Sequence, residues 1–213
     1  MEPDGDTIRF ASLRAVLESI SVWPDLEQGL AAMSMEHKII FAGPMGAGKT
    51  TAIAAVSDIE VVSTESKATD EVALRKANTT VAMDYGVLRL EGGSSVHLYG
   101  TPGQERFSFM WDILTEGGMG LVLMLDQARP NPIADLMLYM TAFRPFIDRT
   151  GGALVVGVSR MDLRPGSSLV PIREKIQSLG LNVPVFEVDA RQRQDVKQLL
   201  LALLVTLDPA LRR

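Results

Sequence analysis

Short apolar runs alternate with longer amphipathic stretches from residue 37 onward, and that alternation sets the expected architecture. The apolar runs read as six strands: Lys38 to Ala42, Val81 to Leu90, Ser95 to Tyr99, Gly120 to Leu125, Ala153 to Val158 and Val183 to Val188. Helical patterns fall between them, at Thr51 to Val56, Gln104 to Thr115, Ile133 to Phe146, Val170 to Ser178 and Gln194 to Leu207. In the last, Val196, Leu199, Leu200, Leu203, Leu204 and Leu207 recur at helical spacing, a stripe that belongs to a core rather than to a membrane. Glu91-Gly92-Gly93-Ser94 is a hairpin-type connection, so the second and third strands are expected to run antiparallel. The remaining strands need helical crossovers. The prediction is an α/β fold: a six-stranded, mostly parallel sheet with helices on both faces and one antiparallel edge strand.

Two segments do not fit this pattern. Residues 57–78 are polar and show no period, and a loop of that length inside a compact domain is usually functional or disordered. Residues 1–36 precede the first core strand, so the chain divides into an N-terminal extension, 1–36, and a domain, 37–213. Phe10, Leu13, Val16, Leu17 and Ile20 form a short helical stripe there, followed by Trp23-Pro24. A docked helix, a partner-binding arm and an upstream extension ahead of Met33 or Met35 all fit those residues equally.

Composition narrows the class. The 213 residues are 46% hydrophobic and 22% charged, ordinary values for a soluble globular protein with a full core. A net charge of −5 supplies no basic field for nucleic acid, so no nucleic-acid partner is expected. The absence of cysteine excludes disulfides, thiolate metal sites, cysteine nucleophiles, palmitoylation and prenylation, and Glu2 in place of glycine excludes N-myristoylation. No apolar run spans a bilayer, and the acidic start (Glu2, Asp4, Asp6) is unlike a signal peptide. A cytoplasmic protein with no direct membrane anchor is expected.

The chemistry begins at Gly43-Pro-Met-Gly-Ala-Gly-Lys-Thr50, which fits G-x-x-x-x-G-K-[ST] between an apolar strand and a helix. Glycines allow successive backbone amides to turn inward around a phosphate, and the helix N-terminus adds partial positive charge. Lys49 would reach the β- and γ-phosphates of a nucleoside triphosphate, and the Thr50 hydroxyl would ligate Mg²⁺. The triphosphate contacts are assigned to Gly43, Met45, Gly46, Ala47, Gly48, Lys49, Thr50 and Thr51.

A second motif, Tyr99-Gly100-Thr101-Pro102-Gly103-Gln104-Glu105-Arg106-Phe107, follows a strand and opens a helix. Here the chain resembles the Ras-like small GTPases, P-loop NTPases whose second switch in one branch reads D-T-A-G-Q-E-R-F. The resemblance implies that the Gly103 amide contacts the γ-phosphate and that Gln104 orients the attacking water. Thr80-Val81-Ala82-Met83-Asp84-Tyr85 similarly resembles the first switch, with Thr80 closing over Mg²⁺. It thus implies Gln104, Lys49 and Thr80 as catalytic residues, Thr50 and Thr80 as metal ligands, and GTP/GDP with Mg²⁺ as cofactors. The base-reading positions have diverged. Ser159-Arg160-Met161-Asp162 stands where the family has N-K-x-D, and Asp189-Ala190-Arg191 where it has S-A-K. Asp162 would accept from guanine N1 and N2, the Ala190 amide would reach O6, and Arg160 and Arg191 would flank the base. Without the Asn contact, an adenine or undiscriminating site stays open.

Gly100 replaces the second-switch Asp that normally holds Mg²⁺ through water, and Pro102 follows in place of Ala. With Phe109-Met110-Trp111-Asp112, these departures are similar to the bacterial branch containing gliding-motility (MglA-like) and conservon-type GTPases. No arginine finger carries over, since Thr79 occupies the expected position, and Arg75 and Lys76 are only nearby. Asp126, ending an apolar strand, reads either as a substitute for the missing Asp or as a structural carboxylate. Met45 should crowd the approach of Gln104 and an incoming Arg to the γ-phosphate. The implied activity is a slow, partner-stimulated GTP hydrolase acting as a molecular switch, with protein regulators or effectors, a Roadblock/LC7-type protein foremost, as partners. A non-hydrolysing nucleotide scaffold and an ATP-using P-loop protein are the alternatives. Phe107, Phe109, Met110, Trp111, Ile113 and Leu114 cannot all face the domain from one helix stripe; either some form an interaction surface or they pack on a neighbouring helix.

Overall fold

The computed structural model describes residues 37–63, 83–90 and 94–207. The N-terminal extension lies outside them, as do Thr80, Arg75, Lys76 and the first residues of the strand expected from Val81. Among the described residues seven strands form one sheet: β1 (His37–Ala42), β2 (Val62–Ser63), β3 (Asp84–Arg89), β4 (Ser95–Gly100), β5 (Gly120–Asp126), β6 (Leu154–Ser159) and β7 (Val185–Glu187). Their spatial order is β2-β3-β4-β1-β5-β6-β7. β1 pairs in parallel with β4 and β5, and β5-β6 and β6-β7 are also parallel, whereas β2 runs antiparallel to β3. The helices are α1 (Lys49–Val56), α2 (Phe109–Thr115), α3 (Pro132–Ala142), α4 (Arg144–Arg149), α5 (Val170–Ser178) and α6 (Arg193–Leu207).

All seven residues of β5 are buried, as a central parallel strand covered on both faces requires. Leu121, Leu123 and Leu125 join Leu136, Tyr139, Phe146 and Ile176 on the side of α3, α4 and α5. On the other side α6 packs against α1, β5 and β6. There Leu199 and Leu203 press so closely on Gly157 and Gly120 that a methyl group at either glycine would lie 2.9 Å from a leucine carbon.

The expected count of six strands is corrected to seven. β2 falls in the stretch read as an aperiodic loop, because two residues cannot display alternation and the strand exists only through pairing, Val62 with Tyr85 and Ser63 with Asp84. The helix expected over Ile133 to Phe146 divides at Phe143, since Pro145 has no amide to donate and suits the first turn of a new helix. The last strand shrinks to Val185–Glu187 because Pro184 cannot join the ladder as a donor. The helix expected from Gln104 starts as a 3-10 turn, Glu105–Phe107, before α2.

One cluster links this core to the second motif. Trp111 of α2 packs on Tyr139 and Phe143, with ring centroids 4.9 and 5.3 Å apart. Its indole Nε1 donates to the Pro102 carbonyl at 3.1 Å, and the Tyr139 hydroxyl donates to the Gly103 carbonyl at 3.2 Å. Buried Trp and Tyr thus use their polar tips to fix the backbone ahead of Gln104.

Candidate functional site

The loop from Gly43 to Thr50 crosses from the end of β1 to the start of α1. Gly46 and Gly48 adopt φ of 83° and 95°, the left-handed region that lets consecutive amides face inward. Lys49 is buried, and its ammonium donates to the carbonyls of Gly43 (2.7 Å) and Pro44 (2.9 Å). These bonds aim the ammonium across the mouth of the loop. A cleft of about 270 Å³ opens there. Met45, Gly46 and Gly48 to Thr51 form its floor, with Asp84 and Thr101 to Gly103 on one side and Arg160 on another. Ala47 contributes backbone instead: its carbonyl accepts from the Ser159 hydroxyl at 3.0 Å, tying β6 to the loop.

Beside Thr50 the structure places a residue to which the sequence pattern gave no role. The Thr50 hydroxyl donates to Asp84 Oδ2 at 2.5 Å, and the Ser63 hydroxyl donates to Asp84 Oδ1 at 2.8 Å. Asp84 reaches Thr50 from β3 over Gly100 on β4. A methyl group at position 100 would lie 3.0 Å from both Cβ and Oδ2 of Asp84. The carboxylate missing from the end of β4 and the one present on β3 therefore compete for one space. The sequence signal was the glycine: a site short of one acid invites a search of the adjacent strand. β3 is held in place by Ser57 at the end of α1, whose Oγ accepts from the Val87 amide at 3.1 Å.

Asp126 is not at this position. It is 3% exposed, caps the Ala128 amide at 2.9 Å and pairs with Arg160 at 2.6 Å. The structural reading of Asp126 holds. The pair pulls the Arg160 guanidinium toward the phosphate loop, where Nη1 comes within 3.8 Å of the space a side chain on Gly46 would fill.

The second motif touches the loop directly. A methyl group on Gly103 would lie 2.4 Å from the Met45 amide nitrogen, so only glycine allows this approach. Gln104 lies above, its Nε2 3.8 Å from Met45 Sδ, while the Met45 side chain is 62% exposed. Asp162, Ala190 and Arg191 are not among the residues that line this cleft. Ala190 is buried against the loop, 2.9 Å from where a Gly48 side chain would begin. Arg191 donates through its guanidinium and its amide to Asp189, at 2.8–3.0 Å, which holds the Asp189 carboxyl down at about 2. The Arg191 pKa is raised chiefly by that hydrogen bond, with a smaller contribution from the charge of nearby Asp162. Met45, Gly46, Gly48 to Thr51, Gly103 and Arg160 line one cleft, Gln104 meets it through Met45, and Ala190 lies against the loop, while Asp162 and Arg191 stand outside that lining. Thr80 lies outside the described residues.

Among the described residues, no group of three or more His, Asp and Glu could hold a metal ion alone. The hydroxyl of Thr50, the Asp84 carboxylate and phosphate oxygens nonetheless suit Mg²⁺, which is commonly held by one or two protein groups plus a substrate phosphate. Thr101 Oγ1, on the cleft wall, is buried and has no hydrogen-bond partner among the described residues.

Fold and loop together define a P-loop nucleotide-binding domain. The chain belongs to the family described as conserved hypothetical ATP binding proteins, which it matches over residues 58–208. That match begins after the phosphate loop, so the loop geometry and the family assignment rest on different residues. The fold is similar to the G domain of the FeoB iron transporter of T. maritima, with a TM-score of 0.56 and 16% identity, covering 82% of this chain and 100% of that one. An uncharacterized protein of Methanocaldococcus jannaschii is 31% identical over 94 residues, or 44% of this chain and 53% of that protein. The chain thus spans about half the length of this curated relative.

Proposed function

We propose that this chain is a Ras-like molecular switch that binds GTP·Mg²⁺, hydrolyses it slowly to GDP and changes its affinity for protein partners with the nucleotide. The observation that carries this reading is Gly103 seated on Met45 of the phosphate loop, with Gln104 beside it. Such a contact lets the motif at 100–107 register what fills the loop. Gln104 would hold a water in line with the γ-phosphorus; its oxygen bonds to phosphorus as the bond to the β–γ bridging oxygen breaks. Lys49 and inward-facing amides would stabilise the charge on the transferring group. Mg²⁺ supplies further charge neutralisation on the phosphates, and Thr50, Thr80 and Asp84 are the residues that would hold it.

If Asp84 carries the cation-side charge, Asp84→Asn keeps the volume and one acceptor but removes the charge. Metal affinity is expected to fall roughly 10- to 100-fold, as for other groups that support a metal ligand. Titrating Mn²⁺ into the nucleotide complex by electron paramagnetic resonance checks it.

Guanine rests on Asp162 and the Ala190 amide; the family's description favours adenine as a second reading. Competing labelled GTP with ATP and GDP, with and without Mg²⁺, decides between them and detects a site that discriminates neither. Asp162→Asn should lower guanine preference, because an amide cannot accept two donors as a carboxylate does. Equal affinity for ATP and GTP in the wild type would overturn guanine outright. Binding without turnover under any condition would favour a nucleotide scaffold.

Partner contact finds support on α2, where Trp111 and Leu114 are buried while Phe109 and Ile113 are 60% and 59% exposed. Exposed aromatic and branched residues beside a nucleotide-sensing motif suit a regulator such as a Roadblock/LC7-type protein. No helix among the described residues is long and apolar enough to cross a membrane. A cytoplasmic location is part of the same proposal.

A further inference from the structure

The Asp84 carboxylate is shared by two hydroxyls from different parts of the fold, and only one belongs to the nucleotide site. Thr50 opens α1 and binds Oδ2; Ser63 ends β2 and binds Oδ1. Asp84 is 8% exposed, so its charge has little water to orient it and depends on these partners. Ser63 reaches it because the β2-β3 pairing sets the two residues opposite each other. β2 is two residues long, exposed, and lies at the end of the strand order.

We propose that Ser63 is a positioning residue for the cation of the nucleotide site: its hydrogen bond holds Asp84 Oδ1, and through it aims the Asp84 charge at Thr50. This rests on the nucleotide·Mg²⁺ reading above and adds a residue outside the cleft that sets cation affinity. A carboxylate offers about four lone-pair sites, and a hydroxyl can donate while its oxygen faces a cation. Thr50 can therefore keep its bond to Asp84 with a cation bound, and Ser63 keeps the second oxygen from rotating away. By linkage, whatever Ser63 contributes to cation binding the bound cation returns to the β2-β3 contact. The edge strand is then held more firmly with metal than without.

The test compares wild type, Ser63→Ala and Ser63→Thr, using mant-GTP and mant-ATP as probes. Release of bound nucleotide is followed in Mg²⁺ and in EDTA, and Mn²⁺ affinity of each complex is measured by electron paramagnetic resonance. Ser63→Ala should release nucleotide roughly five- to tenfold faster in Mg²⁺, at or below the tenfold lower end for a hydrogen bond to a charged group because Ser63 is exposed. Mn²⁺ affinity should fall in parallel, release in EDTA should be unchanged, and Ser63→Thr should restore both metal-dependent values. A loss of equal size in EDTA, or no change in Mn²⁺ affinity, overturns the positioning role while leaving the nucleotide reading intact. Binding of mant-ATP alone overturns guanine and leaves the Ser63 test to run with that probe. Failure of both probes to bind wild type overturns the nucleotide reading and this proposal with it.

Discussion

Lys49→Ala is expected to abolish measurable triphosphate binding and leave the fold in place. The ammonium is held by the carbonyls of Gly43 and Pro44 at 2.7 and 2.9 Å, and Lys49 lines the cleft at the phosphate loop. Each charge-assisted bond to a phosphate is worth about 1.5–3 kcal/mol, so losing contacts to both β- and γ-phosphates should weaken binding at least on the order of 100-fold. The core under β1, β5 and β6 does not include this side chain, while the Gly43 and Pro44 carbonyls left behind are buried, so a lower melting temperature without loss of the fold is expected. Calorimetric titration alongside a thermal melt separates the outcomes: undiminished affinity in a folded variant removes Lys49 from the phosphate site.

The fold was legible where physics acts locally. Periodicity located β1, β5 and β6 within a residue, because buried parallel strands must be apolar throughout. It failed at β2, whose two residues become a strand only against Tyr85 and Asp84, and at α3, where the apolar pattern continues through a break imposed by Pro145. The phosphate loop was legible for the same local reason, since strand, glycines, Lys and helix are contiguous in sequence.

The cation side was legible only as a vacancy. Gly100 showed that an acid was missing, and the hairpin-type connection at 91–94 set β3 beside β4, but nothing in the order of residues shows that Asp84 lies over that glycine. Asp126, at a strand end, fits either a substitute acid or a structural carboxylate by sequence, and its contacts with the Ala128 amide and Arg160 select the second. Ser159 lacks the amide of the family's Asn, yet its hydroxyl donates to the Ala47 carbonyl at 3.0 Å and ties β6 to the loop. Each miss is a contact between residues distant in sequence, which single-sequence patterns do not encode.

Gln104→Leu is expected to separate intrinsic from partner-driven turnover, because Leu keeps the volume and cannot position water. Wild type alone should already be slow. Met45 Sδ lies 3.8 Å from the Gln104 amide, and a thioether is a weak acceptor, so the contact occupies the Gln without directing it at a water. Nor is there an arginine at the expected position before Thr80. Arg160, which borders the cleft among the described residues, is paired with Asp126. A partner-supplied arginine is worth on the order of 10³–10⁵ in rate, provided the water is already in line. The partner should therefore accelerate wild type by orders of magnitude and leave Gln104→Leu nearly unchanged, while both proteins bind triphosphate equally. Single-turnover phosphate release, with and without a Roadblock/LC7-type protein and with lysate fractions as a second source, measures this. Brisk release by isolated wild type would refute the slow switch, and equal stimulation of both proteins would mean that Gln104 does not hold the water.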